Sequence, residues 1–206
     1  MWGERKHQRP AVPEYLRPYQ DAARASGAAF ESLLWHSRAY QQVRFQVLVE
    51  SVRASICAGH ATRRDPLGGR IVVDLGCGRA DLALYLRQEG VEIGRYIGVE
   101  AVGELAEASR RTLAGMDASE HAHADPDAVI IEADFAADMA VIERLASSGG
   151  EIFVLSGSLN TMTQELAVSV LERAWRSIAR VRRGVLAFNF LSNLFRCASL
   201  STPLGA

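Results

Sequence analysis

The stretch Ile71-Val72-Val73-Asp74-Leu75-Gly76-Cys77-Gly78-Arg79-Ala80-Asp81 decides how the rest of the chain is read. Its first five residues are too few for a helix and begin β-branched, which predicts a buried strand. Gly76 and Gly78 follow at once, and glycines there allow unusual φ and a close backbone approach to a ligand. Asp74 interrupts an otherwise apolar run, where burial is costly without a hydrogen-bonding role. Leu82 and Leu86 then set a helical spacing that ends at Gly90.

Downstream the same alternation repeats. Tyr96 to Glu100 predicts a second strand, and Val102, Leu105, Ser109 and Leu113 a helix stripe. After a polar loop from Gly115 to Asp127, Val129 to Glu132 predicts a third strand. Met139, Ile142 and Leu145 mark a helix closed by Ser147-Ser148-Gly149-Gly150, and Ile152 to Leu155 a fourth strand. Leu166, Val170, Leu171, Ala174, Trp175 and Ile178 give the longest later helix; Gly184 stops it before a fifth strand, Val185 to Phe190. Five such alternations imply right-handed crossovers and an α/β fold: a doubly wound, mainly parallel sheet with helices on both faces.

Upstream, Pro10, Pro13 and Pro18 predict an extended or irregular lead-in over residues 1–20. From Asp21 to about Ala58 the pattern is helical, with a stripe at Phe45, Leu48, Val49, Val52 and Ile56. Gly59 to Gly69 reads as a polar connector. The expected organisation is one structural domain, with residues 1–69 an N-terminal extension of lid helices and residues 70–206 the core.

Composition bounds the function. The chain has 206 residues, 49% hydrophobic and 23% charged, which is ordinary globular usage. Its 23 basic and 24 acidic residues give a net charge of −1, without the broad basic footprint of a general nucleic-acid binder; only a local patch stays open. Cys57, Cys77 and Cys197 form no CxxC pair, which argues against a disulfide framework or a cysteine zinc site and fits a reducing cytoplasm. The N-terminus carries no apolar signal-peptide core, and no run of about 18 apolar residues predicts a membrane span.

In open parallel sheets, ligands bind beyond the carboxyl ends of the strands. Those ends carry Gly76 and Gly78, then Glu100, 26 positions beyond Asp74, where an acid accepts from both hydroxyls of a ribose. Glu132-Ala133-Asp134-Phe135 follows the third strand, and Asp134 suits either an adenine amine or the cap of the next helix. A dinucleotide fingerprint needs a third glycine where Asp81 stands, so NAD is the weaker option, and no P-loop occurs. His121 and His123 stand near acids, but in a polar insertion where solvated loops are the rule, so no metal is expected.

Together these elements resemble the class I S-adenosylmethionine-dependent methyltransferases. The likeness rests on VVDLGCGRAD (72–81), YIGVE (96–100), EADF (132–135) and FVLSGSLN (153–160), and covers about 70–190. It implies a Rossmann-like core in which Gly76 and Gly78 face the methionine part of the cofactor, with Asp74 and Cys77 of the same loop also cofactor-binding. It further implies that Glu100 with Ala101 takes the ribose, and Asp134 with Phe135 the adenine.

A narrower likeness, to a bacterial subgroup, lies in Trp35-His36-Ser37, Gln41, Arg44 and Phe45 (W-x-S…Q-x-x-R-F), Ser156-Gly157-Ser158-Leu159-Asn160 (S-G-x-x-N) and Phe188-Asn189-Phe190-Leu191-Ser192 (F-N-x-L-S). It implies cofactor contacts by Trp35, Arg44, Ser156 and Gly157, and acceptor orientation by Ser158, Asn160 and Asn189. Core packing remains the alternative for Trp35 and Phe45, a surface position for Arg44, and turn capping for Ser156, Ser158 and Asn160.

The implied activity is methyl transfer to a small molecule or saccharide. The alternatives are a non-catalytic S-adenosylmethionine or S-adenosylhomocysteine binder serving assembly, and an NAD-dependent oxidoreductase. No catalytic base is singled out. His36 and His60 are isolated candidates, and the [DN]-P-P-[YF] turn of amino-group methyltransferases of nucleic acid is absent. The family continues past its fifth strand with an antiparallel hairpin, for which residues 191–206 offer no convincing strand. The expectation is a missing C-terminal strand and an open edge at which a second copy pairs.

Overall fold

The computed structural model describes residues 11–57, 65–117, 127–138 and 140–190. Five short apolar runs form strands β1 (Ile71–Leu75), β2 (Arg95–Glu100), β3 (Asp127–Glu132), β4 (Ile152–Ser156) and β5 (Val185–Asn189). Every pairing is parallel, and the order across the sheet is β3-β2-β1-β4-β5. The order reverses between β1 and β4, so the crevice for a ligand lies beyond the carboxyl ends of these two central strands.

Among the described residues six helices accompany them: α1 (Arg17–Ser26), α2 (Arg38–Ile56), α3 (Asp81–Gln88), α4 (Gly103–Asp117), α5 (Ala140–Ser147) and α6 (Gln164–Ile178). Strand residues alternate between two apolar layers. Val72, Tyr96, Ile152 and Val154 pack with Phe45, Leu48 and Val52 of α2, Leu82 and Leu86 of α3, and Leu113 of α4. Val73, Leu75, Ile97, Val99, Phe153 and Leu155 pack on the other face with Ile142 and Leu145 of α5 and Val170, Ala174 and Ile178 of α6. Burial on both faces is why these strands read as continuous apolar runs.

The lead-in differs from the expectation. A 3-10 turn (Glu14–Leu16) runs into α1, which begins at Arg17 with Pro18 in its first turn. There the missing N–H removes no intrahelical bond and the fixed φ suits the helix. The helical stretch expected from Asp21 to Ala58 is also broken. Gly27, at φ +65°, closes α1, a 3-10 turn (Phe30–Leu33) follows, and the Ser37 hydroxyl opens α2 by accepting the Tyr40 N–H at 3.2 Å. Ala23 and Ala28 pack against Val102, Leu105 and Ala108, so α1 and the turn after it lie along α4, above the strand ends.

Smaller differences sit at element ends. Helix α4 continues through Asp117, β5 stops at Asn189 instead of Phe190, and β3 starts at Asp127 instead of Val129. Arg95 pairs with Asp127 across β2 and β3 at 3.1 Å, so the polar start of β3 belongs to the ladder. His60, His121, His123 and the C-terminal strand expected to be missing from 191–206 lie outside the described residues. Among the described residues no strand pairs with the outer edge of β5, where Phe188 and Phe190 stay exposed and stack on each other. Nor is any described helix long and apolar enough to cross a membrane.

Candidate functional site

A cavity of about 550 Å³ opens over the carboxyl ends of β1, β2 and β4. Its floor is the turn between β1 and α3. The Gly76 N–H is anchored to the Val99 carbonyl at 2.8 Å, which ties the turn to β2. Gly76 (φ +80°) and Gly78 (φ +58°) are both left-handed, so a side chain is strained at either position. A Cβ on Gly76 would stand 2.5 Å from the Ser158 Cβ, and one on Gly78 2.6 Å from a Leu33 methyl. The floor is therefore in close contact with the turn after β4 and with the N-terminal extension.

Two buried carboxyls stand at the strand ends. Glu100 Oε2 accepts the Gly78 N–H at 2.8 Å and Oε1 the Val102 N–H at 2.9 Å. Burial pushes its carboxyl up to about 7, against the opposing pull of the Val102, Gly78 and Ala101 N–H groups. Asp74 Oδ2 accepts the Tyr96 hydroxyl at 2.7 Å. Burial raises this carboxyl to about 7 as well; the Tyr96 bond opposes the rise, and the charges of Glu100 and Asp81 add to it. The polar atom inside β1 thus has a partner on β2, which resolves the cost noted from sequence. Burial also raises the Cys77 thiol, whose Sγ lies 3.7 Å from the Ser109 hydroxyl, so it is wedged in place and poorly ionised.

At the end of β3, Asp134 closes a turn and does not cap the next helix, which begins at Ala140 with Asp138 Oδ1 accepting the Ala140 N–H at 3.0 Å. Asp134 Oδ1 accepts the Ala136 and Ala137 N–H groups at 3.0 and 3.1 Å. Its Oδ2 accepts the Tyr15 hydroxyl at 2.6 Å, a contact no sequence pattern announced. Four residues on, Tyr19 donates to the Gly157 carbonyl at 3.2 Å. The N-terminal extension is thus a roof fastened to both sides of the crevice.

The far wall centres on Gly157 (φ +81°), where a Cβ would stand 2.9 Å from the Trp35 ring. The Arg44 guanidinium lies 5.2 Å from the centre of that ring and donates to Asn189 Oδ1 at 3.2 Å. Asn189 Oδ1 also accepts the Gly157 N–H at 3.1 Å, while its amide donates to the Ser156 hydroxyl at 3.2 Å. Asn189 braces the turn from behind and is absent from the cavity wall; every other residue expected from sequence to contact the cofactor or orient an acceptor lines it. Phe45 reaches the wall from the apolar layer beneath, where it packs. Sequence reasoning missed Tyr15, Tyr19, Asp81, Thr161 and Met162. Asp81 accepts the Gln41 amide at 3.1 Å, so the acid that displaces the third glycine of a dinucleotide turn is tied to α2.

No family model matches the chain, and no curated protein does. Solved structures do. One is an S-adenosylmethionine-dependent methyltransferase of Leishmania major, 14% identical with a TM-score of 0.53, the match covering 85% of this chain and 61% of that one. Another is the plantazolicin methyltransferase BpumL in complex with S-adenosylhomocysteine, 13% identical with a TM-score of 0.52, covering 87% and 59%. The chain has the class I methyltransferase fold. It spans about three fifths of the length of these structures. Within this methyltransferase fold, the cavity lies at the reversal of strand order, and its polar wall combines carboxylates, backbone turns and, among the described residues, one guanidinium, that of Arg44. No group of three or more metal-ligating side chains occurs among the described residues.

Proposed function

We propose that this chain binds S-adenosylmethionine in the 550 Å³ cavity and transfers its methyl group to a small-molecule or saccharide acceptor. The observation that carries this reading is Glu100: a carboxyl buried at the end of β2, lining the cavity, and bonded to the backbone of the glycine turn. The donors and acceptors present fit that cofactor. Glu100 suits the two hydroxyls of a ribose, and Asp134 the amine of an adenine. Arg44 suits a carboxylate: among the described residues it meets Asn189 and the Trp35 ring, but no acidic partner. Ser158 Oγ is buried with no hydrogen-bond partner, beside the glycine turn.

When bound, S-adenosylmethionine supplies an electrophilic methyl group on a sulfonium. The chain's contribution is then alignment and exclusion of water. Gly76 and Gly78 leave room for close backbone approach, Arg44 and Asp134 fix the two ends with Glu100 on the ribose between them, and the roof of Tyr15, Tyr19 and Trp35 keeps bulk water out. Ser158 and Asn160, on the turn after β4, orient the acceptor; Asn189 serves them indirectly by holding that turn. No base is assigned.

Glu100→Ala tests the reading. It removes the diol acceptor and leaves two buried N–H groups unpaired, so affinity for S-adenosylhomocysteine falls by about 1–3 kcal/mol. Unchanged affinity in a folded variant removes Glu100 from the site. A reducing, cytoplasmic setting belongs to the same reading, with Cys77 held as a buried thiol. The edge of β5, unpaired among the described residues, supports pairing with a second copy, and sedimentation at micromolar concentration distinguishes dimer from monomer.

A further inference from the structure

Asp134 holds more donors than a carboxylate that only closes a turn. Two backbone N–H groups occupy Oδ1 and the Tyr15 hydroxyl occupies Oδ2. A carboxylate offers about four lone-pair sites. Three are filled by the chain itself, which leaves one, at Oδ2, on a side chain that lines the cavity. The Tyr15 proton is committed as well. Burial first, then the bond to Asp134 and its charge, hold the phenol well above its ordinary range. Tyr15 and Asp134 both line the cavity, so a ligand at this end meets a pinned carboxylate and a hydroxyl with no proton to spare.

We propose that Tyr15 is the positioning residue that makes this end of the cavity selective for an aminated purine, an inference that rests on the S-adenosylmethionine reading above. With Asp134 held by Tyr15, the remaining lone pair takes one N–H of a purine amine. A purine carbonyl in the same place faces a carboxylate oxygen and receives no proton from Tyr15, so the pair repels the oxo base as well as attracting the amino base. Without the hydroxyl, Oδ2 is open to water. A bridging water donates to a carbonyl as readily as it accepts from an amine, and the discrimination shrinks.

The test is calorimetric titration of the wild type, Tyr15→Phe and Asp134→Asn with S-adenosylhomocysteine and its deaminated counterpart, S-inosylhomocysteine. The wild type prefers the adenosyl form by about a hundredfold or more, as expected where a site hydrogen-bonds the distinguishing group. Tyr15→Phe narrows that ratio by about tenfold, the loss of one charge-assisted hydrogen bond in a half-buried setting. Asp134→Asn, which presents an amide donor to the oxo base, removes or reverses the preference. Circular dichroism and the thermal midpoint establish that each variant is folded. The same ratio in the wild type and folded Tyr15→Phe overturns the proposal and leaves Tyr15 as a roof contact only. A wild type that binds both nucleosides equally overturns the selectivity but keeps the cofactor reading. A folded wild type that binds neither overturns that reading, and the selectivity with it.

Discussion

The floor of the cavity hangs on the sheet, whereas its roof hangs on two tyrosine hydroxyls and an indole. On the floor, the Gly76 N–H is tied to β2 at 2.8 Å, and Glu100 holds two backbone N–H groups, all buried between two apolar layers. On the roof, Tyr15 bonds the side chain of Asp134, Tyr19 bonds the Gly157 carbonyl at 3.2 Å, and Trp35 rests on Gly157. Beneath them α1 and the turn after it lie on α4 through small residues, chiefly Ala23 and Ala28. The difference teaches a division of labour. Moving the floor disrupts the strands themselves, while moving the roof breaks a few hydrogen bonds worth about 0.5–1.5 kcal/mol each. Geometry for the ligand resides in the floor, and access resides in the roof.

The largest effect expected from this contrast is at Gly76. Gly76→Val combines a left-handed φ with a Cβ 2.5 Å from Ser158, and the added bulk fills the floor. S-adenosylhomocysteine binding is lost while the far-ultraviolet circular dichroism of the sheet persists. Retained binding in the variant means that the turn faces elsewhere.

Next comes the pH dependence of the floor. Glu100 titrates near 7 in the folded chain, against an ordinary value of 4.5. A carboxyl raised on folding binds its proton more tightly in the folded state, so its contribution to stability falls as pH rises from about 4.5 to about 7 and is level above. The span corresponds to roughly 3 kcal/mol. Thermal midpoints of the wild type therefore decline across this window more steeply than those of Glu100→Gln. Parallel curves for the two proteins rule out the raised carboxyl. The smallest effect is on the roof: Tyr19→Phe weakens S-adenosylhomocysteine binding by about 0.5–1.5 kcal/mol, through faster release, and leaves the thermal midpoint nearly unchanged. A large drop in midpoint instead makes the roof part of the structural core and erases the contrast.

The floor was legible in the sequence and the roof was not, for a physical reason. Val72, Val73, Val99, Phe153 and Leu155 are buried between helices, so their strands appear as apolar runs that end where the ligand-facing residues begin. Gly76, Gly78, Glu100 and Asp134 were found because a position after a strand is a position in the crevice. Tyr15 and Tyr19 sit among prolines that read as irregular chain, yet Pro18 falls in a helix's first turn, where it is well tolerated. Their partners, Asp134 and Gly157, are more than a hundred residues away, and no local pattern encodes such a contact. Asn189 shows the opposite failure. The F-N-x-L-S likeness implied an acceptor contact for it, but a motif does not say which neighbour a side chain meets, and it meets Gly157, Ser156 and Arg44.

The most direct test of the central claim is calorimetric titration of the purified chain with S-adenosylhomocysteine, S-adenosylmethionine and NAD in parallel. Micromolar binding of the first two, and none of NAD, is the result expected of a floor that presents Glu100 to a ribose and has Asp81 where a dinucleotide turn needs glycine. A well-folded sample that binds NAD, or that binds none of the three, contradicts it.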